Sequence, residues 1–394
     1  KVEQRLHQRR RRRALRRDGD QQHQRKAVAE HVMRAAPNGP RAAEAQVRLG
    51  WVRSTGTNPT LAVTRNAAGE VFTFGNGTVN KHSKTGSLVW TKAVGTFTYG
   101  TTVANNVVSL HAGQDGGVYL VERQGPNYTS TVIRYCNNNG VVGFTRTFSG
   151  HVNIAFNANF PVAVSDSAGN LFVTAQTGSE TVRLWKVTPA NVSTAVDVTV
   201  TPLELGVTDV FTSSLIVPDN AGGAALFLDH SDGKGHANRR FNASLGTTQT
   251  VNYNTSAFER WAQGAEQSAV VKNGLIYAIR NTTDVFGSTT GKDLVEVAAD
   301  GTRAIKRSGT DLRGVSLSHT GNLAVVTASS VTRNSTTYPA FNVGLENTAG
   351  TITTPVRAFA NFGSTTPIQF GALATSLISG VRSNPFGVIY SSGV

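Results

Sequence analysis

The sequence predicts an all-β protein, a β-propeller of six or seven four-stranded blades, fronted by a short basic α-helical N-terminal arm. Three observations lead there. Glycine-centred turns recur at a near-constant spacing. Each is flanked by short apolar strands. Most units also carry a second glycine-containing turn, so that a unit reads strand, turn, strand, loop, strand, turn, strand.

The first turns centre on Gly69, Gly117, Gly169, Gly223, Gly274, Gly321 and Gly387, at spacings of 48, 52, 54, 51, 47 and 66 residues. Such a rhythm is what four-stranded propeller blades produce. The clearest copies begin at Leu61, Val162 and Val315. Second turns fall at Gly86, Gly140, Leu245-Gly246, Asp300-Gly301 and Gly350. Glycine or Asp-Gly at these places supplies the positive φ of a tight hairpin. One blade cannot cover both of its own faces. Radial stacking covers both and leaves only short edges. The expected inner strands carry small apolar residues, Ala62-Val63 and Ala163-Val164, as a crowded centre requires. The last unit stops after two strands, so closure has two solutions. Either six blades close the ring, or a seventh is completed by the segment from Gln46 to Arg53.

The arm spans residues 1–50 and the propeller residues 51–394. The chain carries a formal net charge of +14, of which +9 lies in residues 1–50. Arg9, Arg10, Arg11, Arg12 and Arg13 are contiguous, followed by Arg16 and Arg17. Two helices are expected, from about Val2 to Arg17 and from about Gln21 to Ala36, the second ended by Pro37-Asn38-Gly39-Pro40. Val28, Val32 and Ala36 form a narrow apolar stripe on the second. Adjacent arginines repel one another and need solvent, phosphate or carboxylates beside them. Three readings follow: nucleic-acid binding, docking on an acidic surface of a neighbouring subunit, or no specific contact, the arm being a solvated face or a remnant of a processed pro-segment. No aromatic residue interleaves with the charges, which argues against a base-stacking reader.

Composition narrows the remaining classes. The single cysteine, Cys136, permits neither an internal disulfide nor a multi-cysteine zinc site. No apolar run reaches the ~18 residues that span a bilayer. The chain begins at Lys1, which reads as a mature fragment or as part of a longer chain. Seven Asn-x-Ser/Thr sequons occur, at Asn76, Asn127, Asn191, Asn242, Asn254, Asn281 and Asn334. About five or six would arise by chance in a chain this rich in Asn, Ser and Thr. Used or not, they fit an extracellular or virion setting.

Candidate chemistry is sparse. Asp229, Asp232 and His236 fall within eight residues and form a metal candidate, although the spacing departs from a calcium-binding EF-hand loop. A plain loop between two strands explains them equally. Asp166, Asp219 and Asp300 sit beside turn glycines, where a carboxylate caps backbone N–H groups. His82, His111, His151 and His319 are scattered. The sequence lacks the nucleophile-elbow, phosphate-loop and His-Glu-x-x-His motifs.

Gly69-Glu-Val-Phe followed by Thr85-Gly86-Ser-Leu-Val-Trp90 resembles the repeats of quinoprotein-like bacterial propellers. Asp166-Ser-Ala-Gly169-Asn-Leu-Phe-Val-Thr resembles the repeat of SBBP-type propellers. The resemblance covers residues 60–394 and implies architecture, not activity. A quinone-using dehydrogenase of that kind would need vicinal cysteines or other cofactor clamps and a calcium site. One cysteine excludes the vicinal pair, and no cofactor is carried over. The leading expectation is a non-catalytic structural or binding propeller whose arm docks on another protein subunit, nucleic acid or another polyanion. The alternatives are a propeller enzyme acting on glycans and a carbohydrate-binding lectin.

Overall fold

In a computed structural model, the described residues run from 62 to 360, apart from 67, 76, 95–107, 114–115, 125–129, 150–162, 167, 179–180, 200–210, 220, 231–234, 255–258, 262–268, 284–288, 318–321, 348–349 and 354–355. The chain divides into two units, Lys1–Val52 and Arg53–Val394, and the described residues belong to the second. The two expected arm helices and the proposed seventh-blade closure therefore lie outside them.

The described residues form six antiparallel sheets and no helix. The first blade holds β1 (Ala62–Arg65), β2 (Val71–Gly75), β3 (Thr78–His82) and β4 (Leu88–Ala93). The second holds β5 (Val108–Ala112), β6 (Val118–Gln124), β7 (Ser130–Cys136) and β8 (Val142–Ser149). The third holds β9 (Ala163–Ser165), β10 (Leu171–Gln176), β11 (Thr181–Val187) and β12 (Ser193–Thr199). The fourth holds β13 (Phe211–Pro218), β14 (Ala224–His230), β15 (Gly235–Phe241) and β16 (Thr247–Asn254). In the fifth, β17 (Glu259–Trp261) and β18 (Ala269–Lys272) share one edge of β19 (Leu275–Thr283), followed by β20 (Thr289–Val297) and β21 (Arg303–Ser308). The sixth holds β22 (Leu312–Leu317), β23 (Leu323–Arg333), β24 (Thr336–Leu345) and β25 (Val356–Ala360).

Five of the sheets are simple meanders in which sequence neighbours are hydrogen-bonded neighbours, and the fifth blade departs from this only at its doubled inner edge, where β17 and β18 both pair with β19. The leading strands adjoin from blade to blade: β1 beside β5, then β9, β13, β18 and β22. This is the inner wall of a six-bladed propeller, and the fourth strand of each blade is the outer edge.

Strand alternation explains why the blades stack. On β14, Ala224, Leu226 and Leu228 pack with Phe172 and Leu184 of the third blade. The intervening Ala225 and Phe227 pack with Trp261 and Val295 of the fifth. Both faces are apolar, so the strand reads as an unbroken apolar run instead of an alternating one. Each of the five described seams owns such a cluster.

Most of the hairpins share one design, a type I turn followed by a residue at positive φ, whereas the tips at Asn273-Gly274 and Asn334-Ser335 carry two consecutive positive φ values. The first turn residue is usually Asn, Asp, Ser or Thr, and its side-chain oxygen accepts the N–H four residues on. Asn66, Ser83, Asn137, Asp166, Thr188, Asp219, Asn242 and Asn347 all do so, at 2.8–3.2 Å. Asp166 and Asp219 are thus turn caps. Asp300 accepts Thr302 N at 2.9 Å from a later turn position. At Leu245-Gly246 the sequence reading needs correction. The positive φ, 63°, belongs to Leu245. Burial of the leucine side chain in the seam between the third and fourth blades offsets the backbone strain.

These turns are stitched to the preceding blade. Two residues before the second cap of a blade lies a position occupied by Lys81, Lys186 and Arg240. Lys81 Nζ donates to Gly116 O at 3.2 Å and to Asn138 Oδ1, and pairs with Glu70 at 2.9 Å. Lys186 Nζ donates to Gly222 O at 2.7 Å and Ala243 O at 3.0 Å. Arg240 donates to Ala298 O at 2.8 Å. Tyr119 Oη donates to Gly169 O at 2.8 Å, joining the second and third blades. The Lys272–Glu346 pair joins the fifth and sixth. Turn carbonyls with no ladder partner thereby gain charge-assisted donors.

Lys81 is 1% exposed. Replacing Lys81 by Met removes the donor and leaves Glu70 and two acceptors behind. We expect a loss of about 2–3 kcal/mol in urea unfolding. A change within experimental error would show that the stitch does not hold the seam.

Candidate functional site

Two of the three candidate metal ligands do come together. Asp229 on β14 and His236 on β15 are register partners, with Asp229 Oδ1 and His236 Nδ1 3.0 Å apart. The second carboxylate oxygen of Asp229 accepts Trp261 N at 3.0 Å. Trp261 stands edge-on to Phe227, with ring centroids 4.6 Å apart. The pair therefore anchors the inner strand of the fifth blade to the fourth. Asp232 lies outside the described residues. Among those residues no group of three His, Cys, Asp or Glu side chains gathers at metal-binding distance.

Other buried polar groups are also engaged within the sheets. Glu122 is fully buried and pairs with Arg134 across β6 and β7. Asp293 accepts from Arg280 at 2.8 Å and from Ser308 Oγ at 2.6 Å. Burial pushes the Cys136 thiol above its ordinary range, against the pull of Lys92 and Arg134, so it is not a ready nucleophile. His111, on the inner strand of the second blade, lies 2.8 Å from Ser109 Oγ. Burial lowers its pKa to about 3, which leaves the imidazole neutral. His82 is also buried, while His151 and His319 lie outside the described residues.

The outer surface carries the feature that the sequence reading missed. Leu88, Val89, Val141, Val142 and Val192 are 36–60% exposed. All five follow the second hairpin of a blade, in the first, second and third blades. Trp90 bridges the first two, donating from Nε1 to Asn138 O at 2.8 Å. A Cβ added at Gly140 would sit 3.0 Å from that indole. Arg146 bridges the next two, donating to Ser193 Oγ at 2.7 Å. Exposed apolar side chains thus recur along three neighbouring blades, an apolar arc along the rim, and Ile305 on β21 of the fifth blade is exposed as well. In the fourth and fifth blades Gly246-Thr247 and Thr302-Arg303 follow the equivalent turns. A recurrent Val or Leu after the turn residue is visible in the sequence. Its exposure is not, because an apolar residue opening a strand reads as core.

The sequons differ in setting. Asn191, Asn242 and Asn334 are exposed in turns. Asn191 accepts from Arg146 Nε at 2.5 Å, and Asn242 is a turn cap. Asn334 and Ser335 both have positive φ, 49° and 63°, at the tip joining the two longest strands, β23 and β24. Asn281 is half-buried on β19, between β17 and β20. Asn254 is the last residue of β16, while Asn76, Asn127 and the seven arm arginines lie outside the described residues.

No family model and no curated sequence matches the chain. Solved structures do. The Dos1 propeller is similar with a TM-score of 0.46 and 8% identity, over 85% of this chain and 95% of that one. Polysaccharide lyase Uly1 is similar at 0.43 and 10%, over 84% and 87%. The SapL1 lectin in complex with alpha methyl fucoside is similar at 0.42 and 11%, over 76% and 94%. The propeller assignment rests on the strand order of the chain itself.

His111 gives a pH test. Its folded pKa lies below the ordinary 6.5, so the unfolded chain takes up a proton that the folded chain refuses. The stability His111 contributes is whole above about 6.5 and drains away as pH falls toward about 3. Between pH 6 and pH 5 the wild type should lose about 1 kcal/mol more than His111→Gln in denaturant titrations. Parallel losses would show that His111 is protonated in the folded protein.

Proposed function

We propose that the chain is a non-catalytic binding and assembly propeller, extracellular or virion-associated, whose basic arm tethers it to a neighbouring subunit, nucleic acid or another polyanion. The observation that carries the binding reading is the arc of exposed Leu and Val side chains on three successive blades. A contiguous exposed apolar surface rimmed by polar residues is characteristic of an interaction site. Charge partition supports the tether, because residues 1–50 hold fourteen Lys or Arg against five Asp or Glu. The remaining 344 residues carry only +5.

Arg9, Arg10, Arg11, Arg12 and Arg13 are the proposed contact residues. A polyphosphate and a mixed-sequence oligonucleotide are suitable probes. Replacing the five arginines by Gln should weaken binding at least about tenfold at low salt. If all five meet phosphate, the slope of log affinity against log salt should become shallower by about 4. Unchanged, salt-insensitive binding would refute the tether. Salt-independent binding of neutral oligosaccharides would instead support a glycan-directed propeller.

A further inference from the structure

Among the described residues the outer strands are the free edges of the sheets, and such edges are ordinarily blunted by charge, proline or bulges. Five of the six described outer strands contain charge: Lys92 on β4, Arg146 on β8, Asp197 on β12, Arg303, Lys306 and Arg307 on β21, and Arg357 on β25. The exception in charge is β16, whose eight residues, Thr-Thr-Gln-Thr-Val-Asn-Tyr-Asn, include no charge, glycine or proline; its one bulge, at Thr248, lies at the turn end and leaves Gln249–Asn254 in unbroken register with β15. Its only sheet neighbour among the described residues is β15.

The strand is also held in place. Tyr253 Oη donates to Gly301 O of the fifth blade at 2.9 Å, and the Arg303 guanidinium lies 4.3 Å from the tyrosine ring centroid. Val251 lies against Gly301, where an added Cβ would come within 2.7 Å of it. Arg239 on β15 donates to Val251 O at 3.1 Å and Asn252 Oδ1 at 2.9 Å. Thr248, Thr250 and Asn252 remain exposed on the other face. An edge fixed in this way loses little further freedom on pairing.

We infer that β16 is a self-association edge, which pairs antiparallel with β16 of a second copy about a two-fold axis and joins two fourth blades into one continuous eight-stranded sheet. Self-complementarity selects this partner. A two-fold contact sets a strand against itself, so each charge on it meets its own copy or a near neighbour. On β8 that juxtaposes Arg146 with Arg146, and on β12 it crowds two Arg183–Asp197 ion pairs together. On β16 it juxtaposes hydroxyls and amides, and cross-strand Thr pairs favour the sheet. This contact is independent of the basic arm, and salt separates the two.

The test is analytical ultracentrifugation of the full chain made without N-glycans, so that Asn254 at the strand end carries nothing. The wild type should show a concentration-dependent dimer that persists in molar salt and in the five-Gln arm variant. Thr250→Lys, at an exposed position, should raise the dimer dissociation constant at least about tenfold by setting two ammonium groups together. Thr194→Lys on β12 is the matched control and should leave the dimer intact. Urea unfolding of both variants checks that they fold. A wild-type monomer throughout, or a dimer weakened equally by both lysines, would overturn the inference.

Discussion

The structure depends on the fact that each blade is apolar on both faces. A sheet with Ala224, Leu226 and Leu228 on one side and Ala225 and Phe227 on the other has no side to offer water. Only a neighbour on each flank removes that surface, and every neighbour has the same requirement. Hydrophobic burial is non-directional. It accounts for the stacking of blades but not for the angle or register at which they meet.

Register is supplied by polar groups at the ends of the strands. The type I turns leave carbonyls without ladder partners, and a buried carbonyl left bare costs free energy. The structure meets this with donors from the preceding blade. Lys81, Lys186 and Arg240 occupy one repeated position and reach into the next blade, the two lysines to both of its turns and Arg240 to the second. A buried ammonium is tolerable only when its hydrogen-bonding capacity is met. Lys81 meets that condition with a carbonyl, an amide oxygen and a carboxylate. The same hydrogen bonds that satisfy the turns fix one blade upon the next.

This economy shapes what is left for function. Asp229, His236 and His111 stand out along the sequence as titratable groups, and Glu122 and Asp293 join them as buried carboxylates. In the fold they brace strands against one another or sit neutral in the wall. The groups that face outward are of a different kind: the apolar arc on the first three blades, the uncharged edge of β16 and the exposed turn sequons. They suit adhesion between surfaces, which is why binding and assembly form the favoured reading.

The sequence by itself determined the class of fold. Short apolar runs and caps at fixed spacing specify local hairpins, because a turn of Asn, Asp, Ser or Thr with a positive φ three residues on closes through its own backbone and side chain. That logic also exposed the resemblance to other propeller repeats, since the matching stretches around Gly69, Gly86 and Gly169 are these turns. It missed at Leu245, where seam packing lets a leucine hold the left-handed position. Only the tertiary structure decided which apolar residues are wet and which titratable groups are braces. Val141 and Val295 look alike along the chain, yet one is exposed just ahead of an outer strand and the other lies within a seam. Asp229 and His236 look like ligands until both Asp229 oxygens and His236 Nδ1 are found engaged across β14, β15 and β17. Exposure and pairing are relations between blades about fifty residues apart, and no single repeat contains them.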